Sequence, residues 1–169
     1  MMIGISKIAA LLTLLVVLNA CGYQPIAHKA REAVGDKVFV EVKINPRDPQ
    51  NSVALKDEIT RAIFERLHIN AVSREDSTSV IEVQLQSISF NTLAENHTGF
   101  ATFYRCAVNV EFKYTDILAQ KTRIFSKRGY YNFSLNDTSI ITDSIRLEAI
   151  NQAVLQAIDG FISQMGINK

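Results

Sequence analysis

The side chain best placed for covalent chemistry is the thiol of Cys21, which closes the tetrapeptide Leu18-Asn19-Ala20-Cys21. Ahead of it, Ile8 to Leu18 is apolar apart from Thr13, and Lys7 is the one charged side chain in residues 1–20. That run is too short to span a bilayer and has the length of a signal-peptide core. An ordinary leader ends in small residues on an Ala-x-Ala pattern, yet Leu18 stands where a small residue is wanted. The histidines offer no comparable chemistry. His28, His68 and His97 lie in separate segments, without the i,i+4 or Cys-x-x-Cys spacing of a metal site. A Gly-rich phosphate loop and a Gly-x-Ser-x-Gly elbow are both missing. No catalytic residue and no metal ligand is assigned, and an enzyme is not expected.

Leu, a variable residue, Ala and Cys in that order resembles the lipobox of bacterial lipoproteins. The resemblance implies that the Cys21 sulfur takes a diacylglycerol, that the leader is cut before it, and that the new amine is acylated. Those covalent chains are the only attached groups expected, with no dissociable cofactor. Gly22 follows Cys21 where Asp would retain a lipoprotein at the inner membrane, so the implied location is the outer membrane, facing the periplasm. The chain then divides into a signal peptide (1–20), a lipidated tether (21–36) and one domain (37–169).

Charge narrows the partners. The chain has 18 Lys and Arg against 17 Asp and Glu, and loss of Lys7 with the leader balances them. A neutral domain does not advertise nucleic acid or an anionic membrane as a partner. Any anion contact needs a local patch, and the candidate is Lys113, Lys121, Arg123, Lys127 and Arg128, gathered around one hairpin. Such cations either protect a strand edge from aggregation or bind phosphate on a lipid or sugar. Cys106, alone in the mature domain, is expected to be a small buried hydrophobe.

Periodicity supplies the scaffold. Residues 22–36 mix Gly, Pro, Lys and Glu without a clear period and read as the tether. Val38, Val40, Val42 and Ile44 alternate with Phe39, Glu41 and Lys43 as a half-buried strand, ended by Pro46 and Pro49. Leu55, Ile59, Ala62, Ile63 and Leu67 make a helical stripe, capped by Asn51 or Ser52. A short strand is expected near Ala71, and Ile81, Val83 and Leu85 belong to a further strand. Its outward set, Glu82, Gln84 and Gln86, joins Arg105, Asn109 and Glu111 of the Tyr104–Tyr114 strand in one polar face. The last strand holds Phe125, Tyr131 and Phe133 on one parity, and Lys127 before Gly129 suggests a bulge that would project Lys127 and Arg128 together. Leu147 to Met165 is a second apolar helical stripe, with Gly166 as its expected C-terminal cap. The pattern predicts an α+β fold, a mixed or antiparallel sheet of about four to five strands with two amphipathic helices packed on one face.

The order of elements, with Gly22-Tyr23-Gln24-Pro25 directly after the lipobox Cys and Glu148-Ala149-Ile150 in the closing helix, resembles the lipopolysaccharide-assembly lipoproteins (LptE, formerly RlpB). That resemblance covers nearly the whole chain. It implies a lipid-anchored domain that plugs an outer-membrane β-barrel translocon (LptD-like), aids its assembly and contacts lipopolysaccharide. The alternatives are other envelope lipoproteins, such as the auxiliary component of a lipid-transport ABC system or a peptidoglycan-synthase activator.

The anchor is directly testable. Each buried methylene of an acyl chain contributes about 0.8 kcal/mol, so two or three chains hold a protein stably. Cys21→Ala is expected to leave the precursor uncleaved or soluble, as read by gel mobility and membrane fractionation; unchanged behaviour would mean that Cys21 carries no lipid.

Overall fold

Ile26, Ala30 and Val34 stand four residues apart, the spacing of one helical face, and they open the domain as helix α1 (Ile26–Val34). The structure, a computed structural model, describes residues 26–43, 49–97, 99–135 and 140–167. The leader and Cys21 lie outside the described residues, as does Pro46. Helix α1 corrects the expectation of an unpatterned tether through residue 36. Two of its three stripe positions are too weakly apolar or too near the end to stand out, yet Ala30 and Val34 are fully buried. Gly35, in the left-handed region at φ 88°, ends the helix by returning its N–H to the Arg31 carbonyl at 2.8 Å. Two orphan carbonyls of the last turn find partners on the sheet. Ser79 Oγ donates to Val34 O at 2.7 Å, and Tyr114 Oη donates to Ala33 O at 3.1 Å.

Strand β1 (Lys37–Lys43) buries Val38, Val40 and Val42 and leaves Phe39 and Glu41 half exposed. The chain crosses over through helix α2 (Pro49–Leu67) and touches β1 again as the short β2 (Asn70–Ala71). Because α2 begins at Pro49, Asn51 and Ser52 lie within its first turn instead of capping it. Three long antiparallel strands follow, β3 (Ser79–Glu95), β4 (Ala101–Asp116) and β5 (Lys121–Ser134), and helix α3 (Asp143–Ile167) returns across β4 and β5. Strand β1 is parallel to β2 and β3, so the open sheet runs β2-β1-β3-β4-β5. This is the expected α+β architecture, a five-stranded mixed sheet, with a third helix added.

Both expected stripes are buried, from Leu55 to Leu67 on α2 and from Ile150 to Met165 on α3. Phe161 lies at the middle of the layer, stacked on Phe112 at 4.5 Å between ring centroids and edge-on to Phe125 at 5.5 Å. Each aromatic pair is worth about 0.5–1.5 kcal/mol beyond its buried area. An Arg66–Asp159 ion pair joins α2 to α3. Cys106 is fully buried and free, and burial pushes its thiol pKa up to about 11, which makes it an inert packing residue. Gly166 is no cap. It sits inside α3, where a Cβ would come within 2.9 Å of the Ile26 carbonyl oxygen, so its bareness lets α1 cross α3 closely.

Gly129 plays the same part under the middle of α3, with less room. A Cβ there would stand 1.7 Å from the Ala153 carbonyl oxygen and 2.8 Å from its carbon. Since the obstacle is backbone, Gly129→Ala must lift the helix off β5. We expect a loss of about 1–3 kcal/mol or more in urea unfolding, the usual scale for overpacking, whereas Gly99→Ala, with nothing within 4 Å, meets no such obstacle and costs only its positive φ.

Candidate functional site

With α1, α2 and α3 on one side, the opposite face of the sheet is left mostly to polar side chains, with Phe39, Ile124 and Tyr130 among them. Parity brings Glu41 and Lys43 of β1 level with Glu82 and Gln84 of β3, and then with Lys113 and Glu111 of β4. Glu82 is the hub. Its Oε1 accepts from Lys113 Nζ at 3.0 Å, and its Oε2 pairs with Lys43 Nζ. Beside it, Arg74 Nη1 reaches Glu41 Oε2 at 3.1 Å and lies over the Phe39 ring. Further along, Ser126 Oγ donates to Asn109 Oδ1 at 3.0 Å, and Arg105 Nε donates to Asn132 Oδ1 at 2.9 Å while covering Tyr130. The short side chains of Ser87, Ser89 and Ala107 leave a shallow depression between these groups, edged by Arg128 and Tyr130.

The five candidate cations do not form one patch. Strand β5 pairs with β4 in unbroken register, so the bulge expected at Lys127–Gly129 is not formed and consecutive residues point to opposite faces. Lys113 and Arg128 lie on the open face, the former tied to Glu82. Lys121, Arg123 and Lys127 share the parity of buried Phe125 and lie toward the helices. Arg123 covers Tyr114 and Phe125, and the Lys127 stem runs beside Gly160 of α3. Lys127 breaks the apolar parity because an edge strand lets its stem pack while its ammonium reaches water. The register irregularities fall instead in β3, between Leu85 and Ser87 and between Thr92 and Glu95, which makes Gln86 the extra residue of a bulge. Sequence reasoning missed Lys43, Glu41 and Arg74, because a parallel crossover neighbour leaves no local signal.

The histidines divide as well. His28 and His68 line one open cleft with Ala27, Arg31 and Leu67, and among the described residues no Ser, Thr, Cys or carboxylate lines it with them. His97 lies in the β3–β4 turn. Among the described residues, no three His, Cys, Asp or Glu side chains gather as a metal site would require.

Comparison with known proteins adds to this geometry. A family model described as "LptE: Lipopolysaccharide-assembly" matches residues 39–165. No curated protein matches the chain. A putative lipoprotein from Caulobacter crescentus CB15 is similar in structure, 8% identical over 85% of this chain and 96% of that one, with a TM-score of 0.51. The rare lipoprotein B from Shewanella oneidensis is 18% identical over 77% of this chain and 93% of that one, with a TM-score of 0.49. At such identity the Caulobacter likeness speaks for the fold alone.

Glu82 gives the face a pH signature. Hydrogen bonds from Lys43 and then Lys113 hold its carboxyl below the usual carboxylate range, against an opposing push from partial burial. A carboxylate whose pKa is lower folded than unfolded adds stability above the unfolded value, and that stability is lost as pH falls through the folded value. Glu82→Gln is expected to cost on the order of 1–2 kcal/mol at neutral pH, the difference from the parent shrinking as pH drops below about 4. Urea melts across pH check this; a difference that ignores pH would assign the loss to packing.

Proposed function

Because the chain belongs to the LptE lipopolysaccharide-assembly family, we propose that its domain is the periplasm-facing plug and assembly partner of an outer-membrane β-barrel translocon, lipid-anchored through Cys21. A role in lipopolysaccharide assembly follows from the family; the plug role is what the resemblance implies, and the sheet's open face supports it. The observation that carries it is the open face, a largely polar wall on which Glu82, Glu41, Asn109 and Asn132 are paired within the chain. Stranding a charge against a partner is costly, whereas a self-paired polar wall can lie against another polar surface. The lumen of an outer-membrane barrel is such a surface.

Contact with lipopolysaccharide phosphate enters this proposal in a reduced form. Exposed pairings contribute roughly 0–1 kcal/mol each, so affinity depends on several cations meeting one head group. Lys121, Arg123 and Lys127 share one side of β5 and can act together; Arg128 and Lys113 lie across the sheet from them.

A photo-crosslinker at Asn109 or Glu111 on the open face, or at Asn96 in the β3–β4 turn, is expected to capture one large outer-membrane barrel in cells. Depletion of this lipoprotein should lower the amount of correctly assembled barrel. Adduct-free profiles at all three positions would refute the plug and leave a free-standing lipoprotein.

A further inference from the structure

Four large apolar side chains stand in water at one end of the molecule. They are Ile26 at the start of α1, Ile117 and Leu118 in the β4–β5 turn, and Ile167 at the end of α3, with exposures of 45%, 44%, 79% and 74%. Contacts place them at a common end. Gly166, next to Ile167, packs on Ile26 and Ala30. The far end of α1 is held by Ser79 and Tyr114, at the start of β3 and the end of β4. The Ile117 N–H donates to Thr78 O at 3.0 Å, on the same margin of the sheet. Helix α3 follows β5 from Gly129 at Ala153, past Lys127 at Gly160, to Phe125 at Phe161, so its last turn runs toward the β4–β5 turn.

Single exposed apolar residues are ordinary on a protein surface. These four surround the end from which the chain leads back to Cys21. Only Gly22 to Pro25 intervene before Ile26, and a fully extended chain crosses that gap in about 18 Å. An acylated Cys21 therefore keeps this end within about 18 Å of the lipid. We infer that Ile26, Ile117, Leu118 and Ile167 form a membrane-contact rim that enters the boundary between headgroups and acyl chains of the anchoring leaflet. An interfacial contact of this kind draws on buried apolar area together with attraction to anionic lipid. Lys121, directly after the turn, supplies that charge, and its flexible stem lets the ammonium meet lipid phosphate while the turn dips below it. The inference rests on the lipid-anchored reading of Cys21, and in a plug it requires this end to project from the periplasmic mouth of the barrel beside the leaflet.

The chain contains no tryptophan, so Leu118→Trp installs a single reporter. The full lipidated chain carrying it is reconstituted into vesicles of phosphatidylethanolamine and phosphatidylglycerol with brominated acyl chains, and co-flotation is scored on the same sample. The expected result is blue-shifted emission quenched by bromine, reproduced by Ile167→Trp should the first variant fold poorly. Leu93→Trp, in the distal part of β3, should emit as in water and escape quenching. Unquenched emission at 118 and 167 from protein that co-floats would overturn the rim while leaving the anchor intact. Blue-shifted but unquenched emission would assign the rim to a protein contact, whether a second copy or a partner, and equal quenching at 93 would mean that the domain lies flat. Failure to co-float would remove the anchor, and the rim with it.

Discussion

The bare Cα of Gly129 is the point on which the packing turns. A helix and a sheet ordinarily stand apart by the thickness of their side chains, but here the Ala153 carbonyl sits where the Gly129 Cβ would be. That contact fixes both the height and the phase of α3. Once α3 is seated, Phe161 comes down between Phe112 and Phe125, and Gln156 Oε1 meets the outward N–H of Tyr130. The same seating presents Gly166 to α1. The sequence spends its two tightest glycine contacts on one helix, one at its middle and one at its C-terminal end, and the side-chain layer between them is set by that pair. Close-packed interiors transmit such displacements instead of absorbing them.

With the helices pressed onto one side, the sheet divides its labour. The helix side carries the apolar core, and almost every buried group there is hydrocarbon; the exceptions Ser77 and Ser79 donate to backbone carbonyls. The open side is polar without being a loose set of charges. Glu82 takes two ammonium partners, Arg74 takes Glu41, and Arg105 takes Asn132. A face of this kind offers another protein hydrogen-bonding shape more than adhesive apolar area, which suits a domain that must lie inside a partner without collapsing onto it.

Much of this was legible in the residues. The alternation Cys106, Val108, Val110, Phe112 gave β4 its face, and Leu55 to Leu67 gave α2 its stripe, because burial on one side imposes a period that a short window reveals. The failures share a cause, a residue whose role is set by something distant. The helical face of α1 rests on Ala30, which looks neutral until Gly166 is known to lie beneath it. Lys127 looked like a break in register because its partner, the bare surface at Gly160, is more than thirty positions away. Lys43 and Glu41 looked like solvent-facing filler, since nothing local says that β1 pairs in parallel with β3 beside Glu82. The polar face itself was readable from the strand parities of β3 and β4; its internal wiring was not.

Strand β3 outruns its neighbour. Among the described residues its pairing with β1 runs to Gln84, whereas its pairing with β4 continues to Glu95. Among the described residues the sheet beyond the first register irregularity is a three-stranded ribbon, backed by α3 at the Phe90–Cys106 row, where Arg146 covers the Phe90 ring. In mechanical terms the molecule is a cantilever. Its base is clamped by three helices, its hinge is the kink that a bulge puts in a strand, and its free end is the hairpin around Asn96. Amide exchange in such an object is graded, slow at Ile81 and Val83 and approaching that of a local opening near Ala94, because each successive row has fewer neighbours to break. A load applied at the hairpin is taken up first as bending beyond the Phe90–Cys106 row, before it reaches the Gly129–Ala153 contact that seats α3.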